Sequence, residues 1–124
     1  MSPYKTIRVR EEGITLVVSV GGYLNSELGE EVETAVRARL DDGGRRILLN
    51  FEGTRLVNSI GISFVIGIVE KVMEREGRMA FCELSRINCE LFRVTGLAKY
   101  VRSFETEKEA LDYLVERPGH ETSN

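Results

Sequence analysis

The sequence predicts an α/β domain: a single mixed sheet of four or five strands packed by about four helices. Two observations carry this. Runs of β-branched and aliphatic residues alternate with segments whose apolar residues recur at helical spacing, in the order ββαβαβαβα. Such alternation favours parallel strands joined by helices. The second observation is size. A chain of 124 residues, 42% apolar and 30% charged, makes one domain that can bury a core without disulfides or metals.

The elements follow in order. Residues 5–11 and 14–20 read as two strands turned by Glu12-Gly13. The second, Ile-Thr-Leu-Val-Val-Ser-Val, is nearly continuous in β-branched and aliphatic residues, which marks a strand covered on both faces. Gly21-Gly22 ends it, and Asn25 or Ser26 can cap the helix that follows. In that helix Leu28, Val32, Ala35, Val36 and Leu40 share one face, with Glu27, Glu30 and Glu31 at the start, where the dipole favours negative charge. Asp41-Asp42-Gly43-Gly44 stops it. Arg45 to Phe51 is a buried strand with a charged entry, followed by a loop from Glu52 to Asn58. Ser59 to Glu76 is the most apolar helix, closed by Gly77. Met79 to Cys82 is a short strand, Ser85 caps a helix through Val94, and Gly96 is its stop. Tyr100-Val101 is a last strand. Thr106-Glu107-Lys108-Glu109 is a capping box for a final helix that turns Ala110, Leu111, Leu114 and Val115 inward. The domain is thus 1–115, and ERPGHETSN, 116–124, is a flexible C-terminal tail.

Composition removes several function classes. The single histidine, His120, falls in the tail, so a Ser-His-Asp or Cys-His site has no base and a histidine zinc site has no ligands. Cys82 and Cys89 do not have CxxC spacing, and two cysteines do not build a secreted framework; both read as reduced and mostly buried in a cytoplasmic protein. The start, MSPYKTIRVREE, has no apolar signal region. The apolar stretch Ile60–Val69 is interrupted by Gly61, Ser63 and Gly67 and is too short for membrane insertion. With 17 basic and 20 acidic residues, net charge −3 and no basic block, the chain is not built for nucleic acid. No metal or cofactor is expected.

The helix at Ser59 holds the most information. Helical spacing aligns Ser59, Ser63, Gly67, Glu70 and Glu74 on one narrow stripe, with apolar residues over the rest of the circumference. The plain reading is a helix buried between sheet and neighbour. The other reading is a surface stripe of small residues, edged by Ile60 and Ile66, that lets a partner approach closely. Asn58-Ser59 lies where a strand–loop unit hands over to a helix, the place where α/β domains gather function. A Ser or Asn there is ordinarily a cap. The functional reading is a phosphorylation site, since phosphate at a helix N-terminus does not disrupt its own helix.

Ile47-Leu48-Leu49-Asn50-Phe51 followed by Leu56-Val57-Asn58-Ser59-Ile60-Gly61 resembles the STAS domain family, the sulfate transporter and anti-sigma factor antagonist domains. Gly22-Tyr23-Leu24-Asn25 resembles the family's Gly-x-Leu-Asp. Leu91-Phe92-x-x-Thr95-Gly96-Leu97 resembles its later Leu-Phe-x-x-x-Gly-Leu, and Gly77-Arg78-Met79 matches the Gly before its fourth strand. The matches run in register over roughly 5–115. The resemblance implies a STAS-like fold and places the serine phosphorylated in bacterial anti-sigma factor antagonists on Ser59. It implies a protein that binds an anti-sigma factor serine kinase to free a sigma factor, is released when that kinase phosphorylates it, and is reset by a phosphatase. The implied partner surface is Asn25, Asn58, Ser59, Ile60, Ser63 and Ile66. This sequence departs from the family pattern at three acidic positions near the serine, which here are Asn25, Asn50 and Asn58, and Ile60 replaces a small residue.

Other functions are weighed beside this one. The nearest is a non-switching STAS module of a stressosome-like or transporter-associated complex. A nucleotide-binding or nucleotide-hydrolysing domain lacks support, since neither GxGxxG nor GxxxxGK[ST] is present. A cysteine nucleophile has no histidine to activate it. The expectation is a protein-interaction switch and not an enzyme.

Overall fold

In the computed structural model, which describes residues 7–116, the hairpin β1 (Ile7–Glu12) and β2 (Thr15–Val20) opens a five-stranded sheet. Its other strands are β4 (Arg46–Asn50), β6 (Arg78–Cys82) and β7 (Arg102–Phe104), in the order β1-β2-β4-β6-β7. Only β1 runs antiparallel; β2, β4, β6 and β7 are mutually parallel. The helices are α1 (Ser26–Asp41), α2 (Ser59–Glu74), α3 (Arg86–Val94) and α4 (Glu107–Leu114). The expected α/β class, mixed sheet and four helices are all present.

The continuous apolar strands are explained by covering on both faces. Leu16, Val18, Ile47, Leu49 and Phe81 point into the large core beneath α1 and α2, joined there by Phe92 of α3. Val17, Leu48, Ala80 and Cys82 point the other way, onto Ala110 and Leu114 of α4. Phe51, Phe81 and Phe92 meet edge to face with centroids 5.2 to 5.6 Å apart, an arrangement the ring quadrupoles favour. They tie the ends of β4 and β6 to α3.

Several expectations need correction. The segment after β4 is not a loop throughout: β3 (Gly22–Leu24) and β5 (Thr54–Val57) pair in parallel as a second, two-stranded sheet. Neither has an alternating pattern, because the ribbon is held by contacts from outside it. The Thr54 hydroxyl donates to the Val20 carbonyl at 2.5 Å, and Asn88 Nδ2 donates to the Thr54 carbonyl at 3.2 Å. The last strand lies at Arg102–Phe104 and not at Tyr100-Val101. A 3₁₀ turn, Leu97–Lys99, follows α3, Val101 drops into the core, and Tyr100 faces solvent. Cys89 is exposed, because α3 turns Asn88 and Phe92 inward; only Cys82 is buried. Burial, with the Glu107 charge adding to it, pushes the Cys82 thiol up to about 12, so it stays protonated and inert. Val115 is exposed at the α4 C-cap. Ile14 belongs to the β1–β2 turn, and α2 ends at Glu74. Glu116, the first residue of the expected tail, is held by its carbonyl to Arg78 at 2.9 Å; residues 117–124, with His120, and the first two residues of the strand expected at 5–11 lie outside the described residues.

Two glycines of α2 have opposite surroundings. A Cβ on Gly61 would lie 2.2 Å from the Leu24 carbonyl oxygen, a backbone atom that cannot give way, whereas a Cβ on Gly67 meets nothing within 4 Å. Gly61→Ala should therefore destabilise the fold by about 2 kcal/mol, since overpacking exceeds the gain in helix propensity. Gly67→Ala should stabilise it by about 0.5–1 kcal/mol. Urea unfolding of both variants checks the pair.

Candidate functional site

The small ribbon places the site. β3 and β5 are in parallel register, Tyr23 beside Leu56 and Leu24 beside Val57, and each passes directly into a helix. Asn25 caps α1 by accepting from the Leu28 N–H at 3.1 Å; Asn58 caps α2 by accepting from the Gly61 N–H at 2.7 Å. The Asn58 N–H in turn donates to the Leu24 carbonyl at 3.1 Å. The result is two strand–Asn–Ser–helix units side by side.

The two helices run in the same direction. Gly29, early in α1, abuts Phe64, early in α2, so closely that a Cβ there would lie 2.7 Å from the ring. Further along, Lys71 reaches Glu33 at 3.8 Å, and Arg75 reaches Asp41 at 2.6 Å. Both positive dipole ends therefore open on one surface, the one carrying Ser26 and Ser59.

This surface gathers most of the residues singled out by sequence. Asn25 and Asn58 are half-buried at its base, and Ser59, Ile60, Ser63 and Ile66 are exposed along α2. The stripe is a surface feature, so the plain reading of α2 as a helix enclosed on all sides fails: Ile62, Val65, Ile68, Val69 and Val72 face the core, and Ser59, Ser63, Glu70 and Glu74 face out. Ser63 Oγ donates to the Ser59 carbonyl at 3.1 Å, while the Ser59 hydroxyl stands in solvent at the first position of α2. The chemistry available is that of hydroxyls, carboxamides and aliphatic side chains. These groups suit recognition, with one hydroxyl accessible to phosphoryl transfer.

Asn50 does not join this surface. It lies on the face of β4 that meets α4, where its Nδ2 donates to Glu107 Oε2 at 2.8 Å and its Oδ1 accepts from the Glu52 N–H at 2.9 Å. Glu107 also takes a 2.5 Å ion pair from Arg10 of β1. The Arg10 hydrogen bond, assisted by Asn50, holds the Glu107 carboxyl below its ordinary range, against the opposing effect of burial. The three amides therefore differ in kind. Asn25 and Asn58 act as acceptors, a role an Asp fills equally; Asn50 donates to a carboxylate, which an Asp cannot do while ionised.

Two exposed residues were missed in the sequence reading. Tyr23 and Leu56, cross-strand neighbours in the ribbon that leads into the two caps, are 46% and 60% exposed. The signal for them lay in the Tyr of Gly-Tyr-Leu-Asn and in the Leu before Val-Asn-Ser, but only strand pairing brings them together.

A family model for the STAS domain matches residues 6–110. An anti-sigma F factor antagonist of Paenibacillus polymyxa is 25% identical over 96 residues, which are 73% of this chain and 82% of that protein. BtrV of Bordetella bronchiseptica, a candidate anti-sigma factor antagonist, is 27% identical over 81 residues, 65% of this chain and 70% of that protein. Among solved structures, an anti-sigma factor antagonist from Mycobacterium paratuberculosis superposes with TM-score 0.80 at 21% identity, covering 93% of this chain and 98% of that one. The phosphorylated form of the Bacillus cell fate determinant SpoIIAA superposes with TM-score 0.71 at 23% identity, covering 87% and 98%.

The polar cluster around Asn50 makes a testable statement. Asn50→Asp sets a second carboxylate against Glu107, replacing a charge-assisted hydrogen bond by repulsion. Discounted for partial exposure, the loss should be about 1 kcal/mol at pH 7. The repulsion raises the folded pKa of the carboxyl pair relative to that of wild-type Glu107, which Arg10 holds down. The deficit relative to wild type should therefore shrink as pH falls through that raised value. Urea unfolding at pH 7 and pH 4.5 checks both magnitude and direction.

Proposed function

Because the chain belongs to the STAS domain family, we propose that it is an anti-sigma factor antagonist whose contact surface is the exposed face of α2 with the adjoining ends of the β3–β5 ribbon. The observation that carries the reading is Ser59, exposed at the first turn of α2 among small residues with an apolar edge. Relatives described as anti-sigma factor antagonists support the partner class. In this reading the unphosphorylated protein binds an anti-sigma factor that is also a serine kinase, in the cytoplasm, and so frees a sigma factor.

The contact surface is Asn25, Asn58, Ser59, Ile60, Ser63 and Ile66, extended by Tyr23 and Leu56. Ser63 and Gly67 let the partner's backbone come close, and the apolar edge supplies the area removed from water. The kinase transfers a phosphoryl group to Ser59 Oγ. The product carries about −1.5 to −2 charges. Those charges sit where two parallel helix dipoles present their positive ends, so the fold tolerates them. The partner does not: it is shaped for a hydroxyl, and its own acidic catalytic base adds repulsion. Binding is lost without refolding, and a phosphatase restores it. Asn58 keeps the cap geometry of an Asp while removing its charge, which favours binding over transfer. A STAS module of a stressosome-like or transporter-associated complex, with no serine switch, is the reading that failed transfer would select.

Ser63→Arg should abolish binding to the cognate kinase with an unchanged melting temperature. Ser59→Asp should weaken binding by about 1–3 kcal/mol, the scale for an unpaired charge buried at an interface. Ser59→Ala should bind like wild type and resist phosphorylation. Calorimetry reads the affinities, and intact mass after incubation with kinase and ATP reads the transfer. Unmodified wild type together with full binding by Ser59→Asp would exclude the switch.

A further inference from the structure

The second half of α2 borders a groove that shares Ile66, and no other residue, with the proposed Ser59 contact surface. The helix and the turn at 95–100 bound a cleft of about 830 Å³ whose apolar lining includes Val69, Met73, Leu97 and Tyr100, with Glu70 and Glu74 also lining it. Val69 and Leu97 are buried, whereas Met73 and Tyr100 are 55% and 67% exposed, so apolar lining of the cleft meets water.

The charges beside it are unbalanced. On the α1 side of α2, Lys71 and Arg75 are paired with Glu33 and Asp41. On the groove side, Glu70 and Glu74 are exposed one turn apart and have no cationic partner among the described residues. Like charges at this spacing repel. Glu74 also ends the helix, where the dipole favours a cation. One kind of occupant relieves all three unfavourable features: an apolar face to cover Met73 and Tyr100, flanked by positive charge for the two carboxylates.

We infer that this groove docks a basic amphipathic helix of a partner protein. Carboxylates one helical turn apart match Lys or Arg side chains one turn apart on the incoming helix. The walls are a helix and a 3₁₀ turn and offer no free strand edge, so an extended peptide has no backbone partners there. The docking is independent of phosphorylation at Ser59.

The test titrates two synthetic peptides of about 16 residues, long enough for helix formation, into the ¹⁵N-labelled full chain. One presents Leu on one face and Lys beside it; in the other every Lys is Glu. The Lys peptide should shift amides confined to 66–74 and 95–100 and bind at least tenfold tighter than the Glu peptide. The double variant Glu70→Lys, Glu74→Lys should reverse that preference, and Met73→Ser, which removes apolar surface without adding charge, should weaken the Lys peptide several-fold. Ser63→Arg should leave peptide binding unchanged, which separates this site from the Ser59 contact. Equal affinity for both peptides, shifts elsewhere, or an unreversed preference would overturn the inference. So would a homodimer in sedimentation that Met73→Asp dissociates, since the groove would then be filled by a second copy.

Discussion

The Leu24 carbonyl is the point on which the site turns. It accepts the Asn58 N–H at 3.1 Å and lies so close to Gly61 that a Cβ there would come within 2.2 Å. That approach locks the start of α2 against the end of β3. It fixes the parallel register of the ribbon, and with it the juxtaposition of two helix N-termini. A larger residue at 61 would push α2 outward and separate Ser59 from Asn25, even with the main sheet intact. Site geometry thus depends on a backbone-to-backbone contact, which is stiffer than any side-chain contact could be.

The main sheet supplies a different constraint. Its central strands are apolar on both faces, so hydrophobic pattern alone does not set their register; the parallel pairings and the polar residues at the strand ends do. Polar groups on these strands are confined to the ends. Asn50 is one of them, and alternation along β4 sends it to the α4 face, where Glu107 and Arg10 satisfy it. An amide there is a requirement of that cluster. The position says nothing about charge at Ser59, although a reading of the sequence groups it with Asn25 and Asn58.

The outer face of α2 combines features that are poor for an isolated domain. Ile60, Ile66 and Met73 are exposed, Gly67 costs helix propensity, and Glu70 and Glu74 repel. The helix persists because its inner face contributes Ile62, Val65, Ile68, Val69 and Val72 to the core. Burial of about 1.5–3 kcal/mol per large apolar side chain outweighs tenths of a kcal/mol lost outside. The core thereby frees the outer face to be shaped by recognition. A phosphate at Ser59 fits the same division, since it would meet two helix dipoles and no packed side chain.

Residue type and period alone determined the α/β class, the doubly covered strands, two of the four helix caps, Ser85 and Thr106, and the alignment of Ser59, Ser63 and Gly67; at the other two caps they left Asn and Ser as equal candidates. These follow from local rules: 3.6- and 2-residue periods, and side-chain oxygens that satisfy a helix's first N–H groups. The β3–β5 ribbon, the exposure of the α2 stripe, and the separate fate of Asn50 were decided only by tertiary structure. Each depends on a neighbour distant in sequence. Thr54 needs Val20 and Asn88, Tyr23 needs Leu56, and Asn50 needs Glu107, 57 positions away. A local pattern shows which face of an element is apolar. Which faces then meet another element, and which are left to water, is fixed when non-local packing has claimed the rest.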